Sequence, residues 1–261
     1  MQTITSRDNH IIKDTTKLIK SSSYRTQWEK YVIEGVRICS DAVDSHVSFA
    51  TVLLAQNAVE KYPKLITLLQ EICESTFIIS DKLFSQISDT KTPQGVMCVC
   101  NKSTNRFMAA QGKRYLALEC IQDPANMGTI LRTAEALGIN GVYITADCCD
   151  IYSPKVLRGS MGAVFRLPVN IVPDFTSITA YLNNNGVKTF ATVPDSTAYQ
   201  ITQLSSTEKE SCSIFIGNEG NGLSQQTIDN CTKCVTIPMK GRAESLNASV
   251  AAAIAMWEIL R

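Results

Sequence analysis

Three short segments concentrate the residue types that chemistry uses, and each follows an apolar run. The first, Asp123-Pro124-Ala125-Asn126-Met127-Gly128-Thr129-Ile130-Leu131-Arg132, reads as a strand-to-helix turn. Pro124 stops the strand, Asn126 is a good N-cap, and Arg132 lies about one and a half turns into the helix. A helix N-terminus with an arginine nearby suits a phosphate; the plain alternative is an arginine paired with a structural acid. In the second, Ile214-Phe215-Ile216-Gly217-Asn218-Glu219-Gly220-Asn221-Gly222-Leu223, an apolar strand runs into three glycines around one carboxylate. Its glycine order is the reverse of the dinucleotide fingerprint and no long helix follows, which excludes a Rossmann-type nucleotide site. In the third, a strand closes at Ile237-Pro238, and Ser245, Asn247 and Ser249 open an Ala-rich helix. Capping explains one of these three residues. A polar site lying over close helix packing explains the set.

Composition narrows the chemistry. The chain has 261 residues, 25 Lys plus Arg against 24 Asp plus Glu, and a net charge of +1, so it is no histone-like polycation. Local basic patches on a neutral chain stay compatible with nucleic acid. Its two histidines are His10 and His46, so the C-terminal half must work without imidazole. That excludes a Ser-His-Asp triad or a His-ligated metal there. The ten cysteines do not read as a disulfide framework. Cys98, Cys100, Cys120 and Cys212 sit in apolar runs, and Cys231-x-x-Cys234 is a lone pair without the second pair or histidine that structural zinc needs. No metal is assigned. The first residues lack an apolar core, so no signal peptide is expected, and no run reaches a membrane span. The expectation is a reduced, soluble, cytoplasmic protein.

The elements that must position these residues fall into two patterns. Residues 1–100 read as a small α/β domain, with polar helix-like stretches around residues 10–30, strands at Lys30–Gly35, Val52–Ala55, Thr76–Ile79 and Gln94–Cys100, and helices at Val36–Ser45 and Tyr62–Glu74. Residues 101–114 carry Lys102, Arg106, Lys113 and Arg114 with no acid, and read as a basic linker. Residues 115–261 alternate strands with helices. The strands are Tyr115–Ile121, Gly141–Thr145, Leu167–Val172, Val187–Val193, Ser213–Gly217 and Val235–Pro238. The helices are Asn126–Leu137, Pro154–Val164, Phe175–Asn183, Ser224–Asn230 and Leu246–Leu260. This α/β alternation predicts a mostly parallel sheet with helices on both faces, and such sheets bind ligands at the carboxyl ends of their strands.

Together the three segments resemble the three motifs of the SpoU (TrmH-type) ribose methyltransferases of the SPOUT superfamily. The matches are N-x-G-x-x-x-R-x-A at 126–134, I-G-N-E-G-x-G-L at 216–223, and I-P-M-x-G-x-x-E-S-L-N-x-S-V-A at 237–251, in order and at fitting spacing. The likeness extends to Ser153-Pro154-Lys155 and Arg158–Ala163. In the first domain, Glu34-Gly35 and Thr92-Pro93-Gln94-Gly95 look like the family's N-terminal substrate-binding domain. The resemblance implies a deep trefoil knot, which no periodicity argument would propose. It implies S-adenosylmethionine as methyl donor and a homodimer with the site at the subunit interface. It implies Gly217, Ile237 and Leu246, with Thr192 as a fourth, as cofactor-binding residues. Asn126, Arg132, Glu219, Ser245 and Asn247 become the catalytic and substrate set.

The reaction so implied moves a methyl group onto a ribose 2′-OH. Family accounts make Arg132 the base, yet a guanidinium keeps its proton. Our reading has Arg132 hold the phosphate beside the target ribose and orient the hydroxyl, with Glu219 and Asn126 aligning either of them. RNA fits the charge distribution: residues 1–40 hold seven basic and four acidic side chains, and 153–168 hold three basic and no acid. Relatives with this N-terminal domain mostly modify ribosomal RNA, which is the expected substrate. The alternatives are a transfer-RNA ribose methyltransferase and a non-catalytic RNA-binding protein on the same fold.

Overall fold

The computed structural model describes residues 1–103 and 107–261; Arg106, counted above with the linker, lies outside the described residues. The chain forms two compact units, Met1–Thr104 with Tyr152–Phe165, and Asn105–Ile151 with Arg166–Arg261. The segment 152–165, read above as part of the C-terminal domain, thus clusters with the first unit.

The first unit contains β1 (Gln2–Ile4), α1 (His10–Lys20), α2 (Ser22–Trp28), β2 (Lys30–Glu34), α3 (Val36–Asp44), β3 (Phe49–Ala55), α4 (Gln56–Lys61), α5 (Pro63–Ile72), β4 (Thr76–Ile79), α6 (Asp81–Ile87) and β5 (Val96–Asn101). Its sheet runs β1-β4-β3-β5-β2, with β5 antiparallel to both neighbours. The strand β1 and the helix α6 were not expected; three residues and seven residues are too short for a period to declare itself. The motif residues of this unit organise its loops. The Glu34 carboxylate accepts from Ser88 Oγ, Thr90 Oγ1 and the Asp89 amide, and Gln94 Oε1 accepts from Val36 N at 2.8 Å, capping α3. From the 152–165 segment, Tyr152 and Phe165 lie against Tyr31, and Arg158 pairs with Asp89 at 2.8 Å.

The second unit begins with β6 (Arg114–Leu118), α7 (Pro124–Leu137) and β7 (Gly141–Thr145). After α8 (Pro154–Ser160) and α9 (Ala163–Arg166) come β8 (Val169–Val172), α10 (Thr176–Asn184), β9 (Lys188–Thr192), β10 (Tyr199–Gln200) and α11 (Ser206–Glu210). It ends with β11 (Cys212–Ile216), α12 (Gln225–Asn230), β12 (Lys233–Thr236) and α13 (Ala248–Leu260). All seven strands are parallel, in the order β10-β12-β9-β11-β6-β7-β8. The expected α/β architecture is therefore present. Helices α7, α11 and α13 pack together on one face, and α10 packs with α12 on the other. That is the division right-handed crossovers impose. Central strands covered on both faces are largely apolar; Leu116, Ala117, Leu118, Ile214, Phe190 and Phe215 are fully buried, with Ser213 and Thr189 buried among them.

Two sequence expectations change here. The stretch predicted as one helix over 154–164 breaks at Met161 and Gly162, both with positive φ. Of the basic linker, residues 107–113 are built into the second unit. Phe107 stacks on Tyr115 with ring centroids 5.5 Å apart, Asn170 clasps its main chain, and Ala109 is buried. Counting charges missed this because one aromatic ring outweighs them. Gly141 exists to admit that ring: a Cβ there would meet Phe107 atoms at 2.5–2.8 Å. Gly141→Ala should therefore cost roughly 1–3 kcal/mol in urea unfolding, and the same change in a Phe107→Ala background should be nearly neutral.

Candidate active site

The carboxyl edge of the second sheet gathers the three segments. Helix α7 starts two residues earlier than expected. Asp123, not Asn126, is its N-cap, accepting from Ala125 N at 2.9 Å, and Pro124 fills the first helical position, where a missing N–H costs nothing. This releases the Asn126 side chain, which is buried. Its Nδ2 donates to Glu219 Oε1 at 2.7 Å and its Oδ1 accepts from Asn247 Nδ2 at 3.1 Å. One residue from each segment is thereby joined in a single chain of hydrogen bonds.

The direction of that chain is fixed at α13. Asn247 is the N-cap, and its Oδ1 accepts from Ser249 N at 2.9 Å and from Ser249 Oγ at 2.6 Å. The oxygen is thus committed to the helix end, and the amide nitrogen must face Asn126. Asn126 in turn must offer its nitrogen to Glu219, which receives it as a carboxylate. Glu219 is exposed, and Oε2 has no hydrogen-bond partner among the described residues.

The loop carrying Glu219 is closed on itself. Asn218 and Gly222 exchange main-chain hydrogen bonds at 3.0 Å. Asn218 Oδ1 accepts from Gly220 N and Asn221 N, while its Nδ2 donates to Cys120 O. A Cβ on Gly217 would overlap the main chain of Gly222 and Leu223. Glu119, just past β6, accepts from Ser224 N, Ser224 Oγ and Thr227 Oγ1 and anchors the start of α12. The sequence reading passed over Asn218 and Glu119. Asn218 could have been found as the one side chain between Gly217 and Glu219 able to bond the loop's own amides.

Thr192, Gly217 and Ile237 follow or end the adjacent strands β9, β11 and β12, and Thr192 Oγ1 donates to Phe215 O at 2.6 Å. Ile237 and Leu246 are half-buried. Ser245 is exposed in the loop before α13, with no hydrogen bond among the described residues, and Leu246 also precedes the helix expected to include it. Arg132 is exposed and has no ion-pair partner among the described residues, which removes the structural-acid alternative. It makes no hydrogen bond to Asn126, Glu219 or Asn247. No thiol here can serve as a base at neutral pH: burial pushes Cys149 up to about 12 and also raises Cys148. Among the described residues no group of three His, Cys, Asp or Glu side chains could hold a metal ion.

Some of the bases counted toward a nucleic-acid surface have other work. Arg25 is buried and donates to Leu18 O and Ile19 O. Arg114 Nε donates to Lys209 O and Ile259 O, and Arg166 pairs with Glu135 at 2.7 Å.

Residues 113–257 match the SpoU rRNA Methylase family, and residues 9–98 match the MRM3-like substrate binding domain. The chain is 30% identical over 260 residues to the 23S rRNA (guanosine(2553)-2′-O)-methyltransferase RlmP of Bacillus subtilis, covering 99% of both. It is 31% identical to an uncharacterized tRNA/rRNA methyltransferase of Synechocystis, covering 99% of this chain and 93% of that one. An AdoMet-bound rRNA methyltransferase from Sinorhizobium meliloti superposes with a TM-score of 0.87 at 25% identity, covering 99% of this chain and 97% of that one. The AdoMet complex of AviRb from Streptomyces viridochromogenes gives 0.85 at 25% identity, covering 97% of each.

Asn126→Asp would set two carboxylates at hydrogen-bond distance. One of the pair then holds a proton in the folded chain at a pH where both are ionised in the unfolded one. The folded pKa is raised, so stability grows as pH falls. Urea unfolding should find the variant less stable by roughly 1–3 kcal/mol at about pH 8, with the gap narrowing toward about pH 5. A gap independent of pH would contradict the direct contact.

Proposed function

The chain belongs to the SpoU rRNA methylase family, and we propose that it transfers a methyl group from S-adenosylmethionine to a ribose 2′-OH of ribosomal RNA. The observation that carries this reading is the hydrogen-bonded chain Asn247–Asn126–Glu219 at the sheet's carboxyl edge, with Arg132, which has no ion-pair partner among the described residues, on the same helix as Asn126. A binding protein has no need of a buried amide held in one polarity toward a carboxylate with a free oxygen.

The cofactor fits the residues present. Three adjacent strand ends at Thr192, Gly217 and Ile237 offer main-chain donors and acceptors, and the half-buried Ile237 and Leu246 side chains offer apolar surface. When bound there, S-adenosylmethionine supplies a methyl group on a positively charged sulfur. This chain's residues then have to fix the hydroxyl and dispose of its proton. Arg132, permanently charged, holds the phosphate next to the target ribose. The free oxygen of Glu219 accepts from the hydroxyl and aims it, and the Asn126 bond keeps that carboxylate in place. The proton then passes along the hydroxyl's hydrogen bond to the Glu219 carboxylate, a stronger base than the phosphodiester held by Arg132. Positioning of this kind is worth up to roughly 7–11 kcal/mol. Ser245, exposed in the adjoining loop, belongs to the substrate side.

The deep knot and the homodimer belong to the same proposal. In support of the knot, the chain's last helix enters at Asn247 beside the closed Glu219 loop and ends with Ile259 O against Arg114, at the opposite edge of the sheet. In support of the dimer, α13 exposes Val250, Ile254 and Trp257 on one face, the last 58% exposed. A ribosomal substrate places the work in the cytoplasm. No helix among the described residues is long and apolar enough to cross a membrane.

Labelled methyl from S-adenosylmethionine should enter unmodified ribosomal RNA and survive alkali as a resistant dinucleotide. Label in transfer RNA alone would reassign the substrate. Arg132→Ala should abolish transfer while cofactor binding persists by calorimetry, and Leu246→Glu should weaken cofactor binding instead. Light scattering should give a dimer mass, and Trp257→Glu should shift it toward the monomer.

A further inference from the structure

The first unit carries an exposed basic ridge with an uncovered aromatic ring at its end. Helix α1 turns His10, Lys13, Lys17 and Lys20 outward, all exposed and spaced three or four residues apart. They form one ridge that rises about 15 Å along the axis. Two neighbouring carboxylates are engaged, while Glu29, next to Trp28, is exposed with no ion-pair partner among the described residues. Asp14 accepts from Tyr24 Oη at 2.7 Å, and Asp8 pairs with Lys13 at 2.8 Å. Lys20 has no ion-pair partner among the described residues. At the head of the ridge, α2 presents Tyr24 and Trp28 with ring centroids 5.9 Å apart, and Lys17 Nζ lies 5.3 Å from the Tyr24 ring. Trp28 is 54% exposed.

Lysines in a last helical turn complement the helix dipole, which accounts for their sign. It does not account for an uncovered indole beside them. A protein partner would want a contiguous apolar patch, and here one exposed ring lies against Tyr24 at the end of a lysine ridge. Cations spaced along a ridge with a bare aromatic face are what a single strand of RNA uses: phosphates on the amines and one unstacked base on the ring. A duplex would leave Trp28 nothing to stack on. We propose that α1 and α2 form the RNA-reading face of the first unit, with Lys17 and Lys20 on successive phosphates and Trp28 stacking a base of a single-stranded segment. The proposal rests on the RNA-methylating reading above and names the face and the form of RNA it takes.

The test uses the full chain, a labelled single-stranded oligonucleotide and unmodified ribosomal RNA. Trp28→Ala should weaken oligonucleotide binding about 10-fold, and Trp28→Phe should restore it to within about 2-fold, because any π-face serves. Lys17→Gln with Lys20→Gln should lower the slope of log affinity against log salt by about 1.4, roughly 0.7 for each single-strand phosphate contact. In methyl transfer, Trp28→Ala should raise KM for RNA, leaving kcat at saturating RNA and the cofactor dissociation constant unchanged. Wild-type affinity and KM in Trp28→Ala, with the parent active, would overturn this inference and leave the catalytic reading standing. A parent that binds RNA through Trp28 yet transfers no methyl group would do the reverse. The exposed position of Trp28 makes a folding defect an unsuitable explanation, and an unchanged melting temperature would verify that.

Discussion

Asn247 has one side-chain oxygen and one side-chain nitrogen, and the helix it begins takes the oxygen. The polarity of the chain that joins the three segments follows from that constraint. With Oδ1 tied to the amides of α13, the nitrogen points to Asn126. Asn126 must then present its own nitrogen to Glu219. An amide is ambiguous alone, since it can turn over at little cost. Two amides in series, with one end locked to a helix terminus, are not. The Glu219 carboxylate thereby inherits its orientation from a helix cap, and a capping interaction worth about 1 kcal/mol sets the polarity of the site.

The closed loop around Glu219 serves the same end by other means. Gly217 lets its main chain lie against Gly222, and Asn218 holds the loop amides from inside. Glu219 is therefore exposed without being free to wander. Arg132 contrasts with it. No ion-pair partner among the described residues holds its guanidinium.

The order of strands and helices in the second unit was legible because the elements are long and buried on one face or both. Gly141–Thr145 was read to the residue. The chemistry-bearing residues were legible as types. Their roles were less so. Asn126 reads as a cap because Asn usually is one, and only the proline two residues before it moves the cap to Asp123. Residues 101–114 read as a linker because four of them are basic and none is acidic, yet Phe107 is stacked on Tyr115 in the second unit. Arg25 counts toward a basic surface in the sequence and lies buried on two carbonyls in the fold. In each case a single neighbour decides, and composition averages neighbours away.

The segment 152–165 has a consequence for how the molecule is made. It lies between β7 and β8 in the chain, yet it belongs to the first unit. Synthesis runs from the N-terminus, so the first unit waits for its last piece until β6, α7 and β7 have already left the ribosome. Tyr31 is without Tyr152 and Phe165, and Asp89 without Arg158, through all of that interval. Neither unit can be finished before the other is begun, and no single cut in the chain separates them. The two units share one assembly history even though each has a core of its own.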